Sequence, residues 1–352
     1  MRTTIENVPT PSVRKTTPYR AIRLAMRRAV CLTLCLLPAT LTAEDLQLTE
    51  TDSEIQVTLR DKPVLRYRKT PAPLPEGVAP HFLRTGYIHP VYAPTGQAVT
   101  GDYPEDHPHQ HALFFAWTKT KFAGQPLDFW NQAKRQAGVE FRRVVAVTRD
   151  ADHVSFTVEH AFTSREPATD VLRELWTVTV YHTPDDHFVF DIESVQECVQ
   201  DKPLTLPQYR YGGMALRGPA HWLLPESPDS PASKDRLFLT SEGHGRIDGN
   251  HTAARWVAMS GDVDAQQVSI TVLSSPRNFR APQPVRLHPT KPYFCFSPMV
   301  TGKFSIEPGQ PYVSRYRYLV TSATADASWI ERQWQQYVAA EQQASTSDSR
   351  QP

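Results

Sequence analysis

What most constrains this chain is the way its apolar residues alternate. Ile55, Val57 and Leu59 are spaced by Gln56 and Thr58, the turn residues Asp61-Lys62-Pro63 follow, and Val64-Leu65-Arg66-Tyr67 comes next. A period of two bounded by turn residues marks a half-buried strand, and two such runs in succession make a hairpin. The pattern recurs. Val139 to Val147 and Val154 to Phe162 flank Arg149-Asp-Ala-Asp152, and Val171 to Tyr181 and Phe188 to Ile192 flank Thr183-Pro-Asp-Asp186. Leu113 to Trp117, Val268 to Leu273, Tyr293 to Phe296 and Tyr312 to Val320 read as further strands, and residues 69–80 as a proline-rich loop. So many strands, with almost no helical periodicity between them, predict an all-β protein built as a large antiparallel sandwich or barrel. One helix is indicated near the C-terminus. Asp326 or Ser328 can cap it, and Ile330, Trp334, Tyr337 and Val338 then share a face. No repeat or linker divides the chain, so one domain over 44–340 is expected, followed by a disordered Gln/Ser-rich tail at 341–352.

The N-terminus carries a targeting pattern. Arg27 and Arg28 precede the apolar run Ala29 to Leu37, then come Pro38 and small residues to Ala43. That order is a secretory signal peptide with a cut before Glu44, which predicts a secreted or periplasmic protein. The layout also points to Met26 as the true start. The apolar run is far shorter than the ~20 residues a membrane span needs, so no span is expected in the mature chain. Cys31 and Cys35 would leave with the signal; Cys198 and Cys295 remain, and their spacing alone leaves pairing open. With 38 basic and 37 acidic residues the chain has no electrostatic footprint for nucleic acid.

Thirteen histidines are present, and three fall in Asp106-His107-Pro108-His109-Gln110-His111, directly before Leu113-Phe-Phe-Ala-Trp117. If that stretch is extended, a period of two puts His107, His109 and His111 on one side, continued by Leu113, Phe115 and Trp117. Imidazoles gathered at the mouth of an apolar groove can hold a divalent metal ion, with Asp106, His107, His109 and His111 as ligands. They can equally supply an acid and a base near neutral pH, or simply bond backbone carbonyls in a polar loop. A cupin-type metal site would place a Glu four or five residues after His-x-His, where this chain has only Phe, Ala and Trp.

Glu174 is a second candidate. It shares a strand face with Leu172, Trp176, Val178 and Val180, where a carboxylate needs a partner or a raised pKa, so it reads as a general acid or an ion-pair member. The segment Tyr209-Arg-Tyr-Gly-Gly-Met-Ala-Leu-Arg217 offers Arg210 and Arg217 as clamps for carboxylate or hydroxyl groups, beside a glycine pair that permits close approach. Arg84, Tyr87 and His89 lie shortly upstream of the histidines, and Trp117 and Trp130 are candidates to stack on a sugar ring. No Gly-x-Ser-x-Gly elbow, phosphate loop or dinucleotide glycine pattern occurs.

The blocks His89-Pro-Val-Tyr-Ala-Pro, Asp106-His-Pro-His, Leu113-Phe-Phe-Ala-Trp, Tyr211-Gly-Gly, Ala254-Arg-Trp-Val and Ser275-Pro-Arg-Asn together resemble one bacterial family. It is the family of secreted proteins that carry the label methane oxygenase PmoA, and the likeness runs from about residue 45 to 320. The resemblance implies a soluble sandwich of the galactose-mutarotase type, often encoded beside carbohydrate-processing proteins. Three functions are then open. The leading one is a carbohydrate-active enzyme (hydrolase, lyase or epimerase) acting on a sugar or modified glycoside, with His107, His109 and Glu174 as catalytic groups. The others are a non-catalytic sugar-binding module and, as the label suggests, a copper or iron oxygenase.

Overall fold

Twenty strands and one long helix make up the computed structural model, which describes residues 45–223 and 237–348, with side chains to residue 343. The expected signal peptide, with Cys31 and Cys35, lies outside the described residues. The first hairpin shows how local sequence sets the geometry. Strands Glu54–Leu59 and Lys62–Arg68 are joined by Arg60 and Asp61, both in the left-handed region at φ 49° and 60°. That is the two-residue turn whose twist matches paired strands. The turn falls one residue earlier than the Asp-Lys-Pro triplet suggests, and Pro63 sits inside the strand. Pro63 can donate no ladder hydrogen bond, and the register shifts beside its partner Thr58.

Two eight-stranded antiparallel sheets pack face to face, and the other four strands, Phe304–Ile306, Leu204–Leu206, Thr120–Phe122 and Gln125–Leu127, form a small third sheet. The first runs, in spatial order, Leu46–Glu50, Glu54–Leu59, Lys62–Arg68, Tyr87–Val91, Leu113–Ala116, Gly213–Arg217, Tyr293–Phe296 and Val285–Leu287. The second runs Phe238–Thr240, Trp256–Val263, Gln266–Ser274, Tyr312–Thr321, His187–Cys198, Ala168–Tyr181, His153–Arg165 and Ala137–Arg149. Between them Tyr67 meets Phe156 at 5.5 Å and Phe296 meets Tyr316 at 5.3 Å between ring centres. The protein is therefore the large antiparallel sandwich that the alternation predicts. All described residues belong to one compact unit.

The helix Ala327–Asp348 follows its predicted start. Asp326 Oδ1 accepts from the backbone N–H of Ser328 (2.8 Å) and Trp329 (3.0 Å), and Ile330 and Tyr337 are buried with Trp256, Leu273 and Leu319. It does not stop near residue 340. The expected tail is helical to Asp348, and Ser275 Oγ donates to Glu341 at 2.7 Å. Ala, Gln and Glu propagate a helix readily once its first turns are docked.

Three strands of the first sheet break the alternation. Leu113–Ala116, Gly213–Arg217 and Tyr293–Phe296 are buried at every position. Their outer face is covered as well as their inner one: Trp130 packs 4.8 Å from Phe114, and His111 contacts Tyr87 and Phe114. Gly213, at φ 133°, lies where a Cβ would collide with the Phe296 carbonyl oxygen. Gly213 of the Tyr-Gly-Gly segment is thus a close-approach device between two central strands. Cys198 and Cys295 are both free thiols.

Candidate functional site

The site grows out of this covered outer face, and the loop Pro104–His111 is its main part. That loop is not extended. His107 N–H donates to Pro104 O at 3.0 Å and Gln110 N–H to His107 O at 2.9 Å, which makes two successive turns. The expected single face for His107, His109 and His111 is therefore corrected. The turns leave His107 and His109 together, ring centres 5.3 Å apart, and send His111 into the interior. There His111 Nδ1–H donates to Asp102 Oδ1 at 3.0 Å, and its Nε2 lies 3.2 Å from the Gln132 side-chain oxygen.

What holds the turns is Arg217, the last residue of a central strand and fully buried. Its guanidinium donates to both oxygens of Asp106 (Nη2 to Oδ1 2.8 Å, Nη1 to Oδ2 3.2 Å) and to Gln110 Oε1 at 2.7 Å. Lys291 Nζ adds a third positive contact to Asp106 at 3.5 Å. Burial by itself would raise the Asp106 carboxyl, but hydrogen bonds from His107 and Arg217 and the Arg217 charge hold it well below the usual carboxylate range. An ionised carboxylate only accepts, so His107 Nδ1, 3.0 Å from Asp106 Oδ2, must carry its proton there. In the neutral ring, Nε2 is then the basic nitrogen.

These residues open onto a pocket of about 120 Å³. It is lined by His107, His109, Arg286, His288 and Tyr293, with Trp130, Asn131, Arg210 and Tyr211. Asn131 accepts from Tyr211 Oη at 3.0 Å, and Trp130 packs edge-on to Tyr211 and Tyr293. His109 is pushed down to about 3, by burial first and then by the charges of His107 and His111. His288 is also pushed to about 3, by burial and then by Arg286. Its Nδ1 accepts the backbone N–H groups of Thr290 (3.3 Å) and Lys291 (3.1 Å), so its one proton sits on Nε2 as a donor.

The proposed metal set does not fit this geometry. Asp106 is engaged by Arg217 on both oxygens, His111 is turned away toward Asp102, and among the described residues no three His, Cys, Asp or Glu side chains come together as a metal site. Glu174, proposed as a catalytic group, also stands outside the pocket. It lies fully buried between the sheets, accepting from His160 Nδ1 (2.8 Å), Ser194 Oγ (2.6 Å) and Gln196 Nε2 (2.8 Å), while Tyr67 Oη bonds the other His160 nitrogen at 2.6 Å. It does not line the pocket. Trp117 is a core residue whose Nε1–H donates to Gln196 at 2.7 Å. Arg84 is buried, donates to Phe115 O at 2.8 Å and is pushed down to about 10 by burial, with Glu174 opposing. Tyr87 donates to Asp102 at 2.8 Å, and His89 lies 3.0 Å from Thr100 Oγ1 and is pushed to about 4 by burial. Of the sequence candidates, the structure therefore unites Asp106, His107, His109, Trp130, Arg210 and Arg217. It adds Arg286, His288 and Lys291, which lie some seventy residues or more beyond Arg217 in sequence and carry no motif. Among the described residues, no helix is long and apolar enough to cross a membrane.

Sandwich and pocket together define a class: a two-sheet antiparallel β-sandwich with a histidine- and arginine-lined pocket on the outer face of one sheet. The chain belongs to a family of unknown function, DUF6807, whose model matches residues 54–335. No curated protein matches it in sequence. Among solved structures it is similar to heparan sulfate lyase HepC from Pedobacter heparinus, at TM-score 0.36 and 8% identity over 80% of this chain and 35% of that one. A HepC mutant gives TM-score 0.37 with 8% identity and the same coverage. A protein assigned as a kojibiose phosphorylase, from the human microbiome, gives 0.29 and 7% identity over 88% of this chain and 34% of that one. The chain thus spans about a third of the length of the structures it matches.

Proposed function

We propose that this protein is a carbohydrate-active enzyme that uses His107 as a general base and the neighbouring pocket to seat a sugar unit. The observation that carries the reading is the chain Arg217–Asp106–His107. A buried guanidinium fixes a carboxylate, and the carboxylate fixes the imidazole tautomer with Nε2 as the nitrogen able to take a proton. Two-carboxylate glycoside hydrolysis is disfavoured. It needs a pair of carboxyl groups across the scissile bond, and among the described residues the pocket lining contains no Asp or Glu. Proton abstraction from a sugar carbon, as in lyase or epimerase chemistry, suits the imidazole better. The N-terminal charge and apolar pattern supports export, and mass spectrometry of the secreted chain beginning at Glu44 checks it.

The test is turnover of an oligosaccharide panel, with products followed by mass spectrometry, by the wild-type protein and by His107→Gln. Loss of a general base lowers turnover by roughly 10²–10⁴-fold. Unchanged turnover in His107→Gln overturns the assignment. A second reading, a non-catalytic sugar-binding module, draws on the small volume of the pocket. It gains if sugars bind and none is converted.

A further inference from the structure

The pocket lining carries charge of one sign. Arg210 and Arg286 face it with three histidines, and among the described residues no carboxylate does. Neither guanidinium has an acidic partner among the described residues. Arg286 Nη1 donates to Asn250 Oδ1 at 3.0 Å and to Leu287 O at 3.2 Å, both neutral acceptors, and Arg210 lies 5.7 Å from the ring centres of Tyr209 and Tyr211. The nearby Asp106 is matched by Arg217 at 2.8 Å with Lys291 at 3.5 Å, so it cannot also balance Arg210 and Arg286. A concave site lined by one sign of charge concentrates the opposite sign. His288 adds a donor without adding charge, because its proton sits on Nε2.

We infer that the pocket recognises its sugar through an anionic substituent, a carboxylate or a sulfate, with Arg286 and Arg210 contacting the oxyanion and His288 Nε2–H donating to it. The guanidinium fork matches the geometry of both groups. A neutral sugar would desolvate two cations and offer no counter-charge, which costs free energy. The inference rests on the reading of this pocket as the sugar site and narrows its substrate class.

The experiment is titration calorimetry of the full chain with glucuronate, glucose 6-sulfate, glucose and inorganic sulfate. Both acidic sugars, or one of them, should bind at least about tenfold more tightly than glucose, the scale of one charge-assisted hydrogen bond. That affinity should fall as salt is added. Which acidic sugar wins names the substituent. Arg286→Gln should weaken acidic-sugar binding about tenfold, and Arg210→Gln, on an exposed side chain where folding is not at stake, should weaken it in the same direction. Glucose binding as tightly as the acidic sugars, or acidic-sugar affinity unchanged in both variants, overturns the inference. Inorganic sulfate binding as tightly as glucose 6-sulfate overturns its sugar half. The two readings fail separately: His107-dependent turnover confined to neutral sugars defeats the charge inference and leaves the general base standing.

Discussion

Replacing Arg217 by Met should destabilise the protein by about 3 kcal/mol, the lower end of the range for breaking a buried ion pair. The figure follows from the geometry. The Arg217 side chain is 0% exposed and donates to Asp106 and to Gln110, whereas the Asp106 side chain is 18% exposed. Without Arg217, Asp106 keeps Lys291 at 3.5 Å and some water, so the stranded carboxylate is only partly uncompensated. Asp106→Asn should cost more, about 4 kcal/mol, because it strands a fully buried guanidinium. The double variant should then cost less than the sum of the singles, by about 1 kcal/mol or more. Urea denaturation of the four proteins at neutral pH gives the cycle. The pH dependence supplies a second check. Asp106 is held below its ordinary value when folded, so its contribution is complete above the unfolded pKa of about 4 and is lost as pH falls through the folded one. The advantage of wild type over Asp106→Asn should therefore shrink below about pH 4. An Arg217→Met cost under about 1 kcal/mol, additive with Asp106→Asn, would refute the claim that this pair pins the histidine loop.

Glu174→Gln should destabilise the fold by about 2 kcal/mol through its buried bonds to His160, Ser194 and Gln196, yet leave sugar affinity unchanged; denaturation and calorimetry on one preparation separate the two effects. Gly213→Ala should cost at least about 2 kcal/mol, read as a lower urea midpoint, since a methyl group there meets the Phe296 carbonyl. His109 and His288, each near 3 when folded, should stay neutral across neutral pH in NMR titration. Because the unfolded chain binds their protons more readily, both should lower stability as pH falls from about 6.5.

The sandwich was legible because its outer strands alternate: Ile55-Gln-Val-Thr-Leu59 has one wet and one dry face, and such a pattern has few folded solutions. The helix was legible at its start, where Asp326 caps it, and misread at its end, where docking through Glu341 accompanies residues that composition marks as disordered. In the site, Asp106, His107 and His109 stood out because three histidines fell within five residues. Their geometry did not, because one proline and two turns replaced the extended backbone that a period of two assumes. Arg286 and His288 were invisible. They reach the pocket only because Val285–Leu287 pairs with Tyr293–Phe296, beside the strand that ends in Arg217. Glu174 was rightly placed on an apolar face, but that face turned out to be the core between the sheets, where a carboxylate needs partners rather than substrate.

Fold and site meet in the strand Gly213–Arg217. Buried on both faces, it cannot end in a charged residue unless the covering layer supplies an opposite charge, since an unpaired guanidinium in that position is costly. The Pro104–His111 loop supplies it through Asp106, and the same contact orients His107. The pairing that lets the sheet be covered is thus the one that places a base at the pocket. A change in the loop that kept Asp106 should keep the fold. One that kept the histidines but removed Asp106 should lose both stability and the oriented imidazole, and the two losses should track each other across substitutions at position 106.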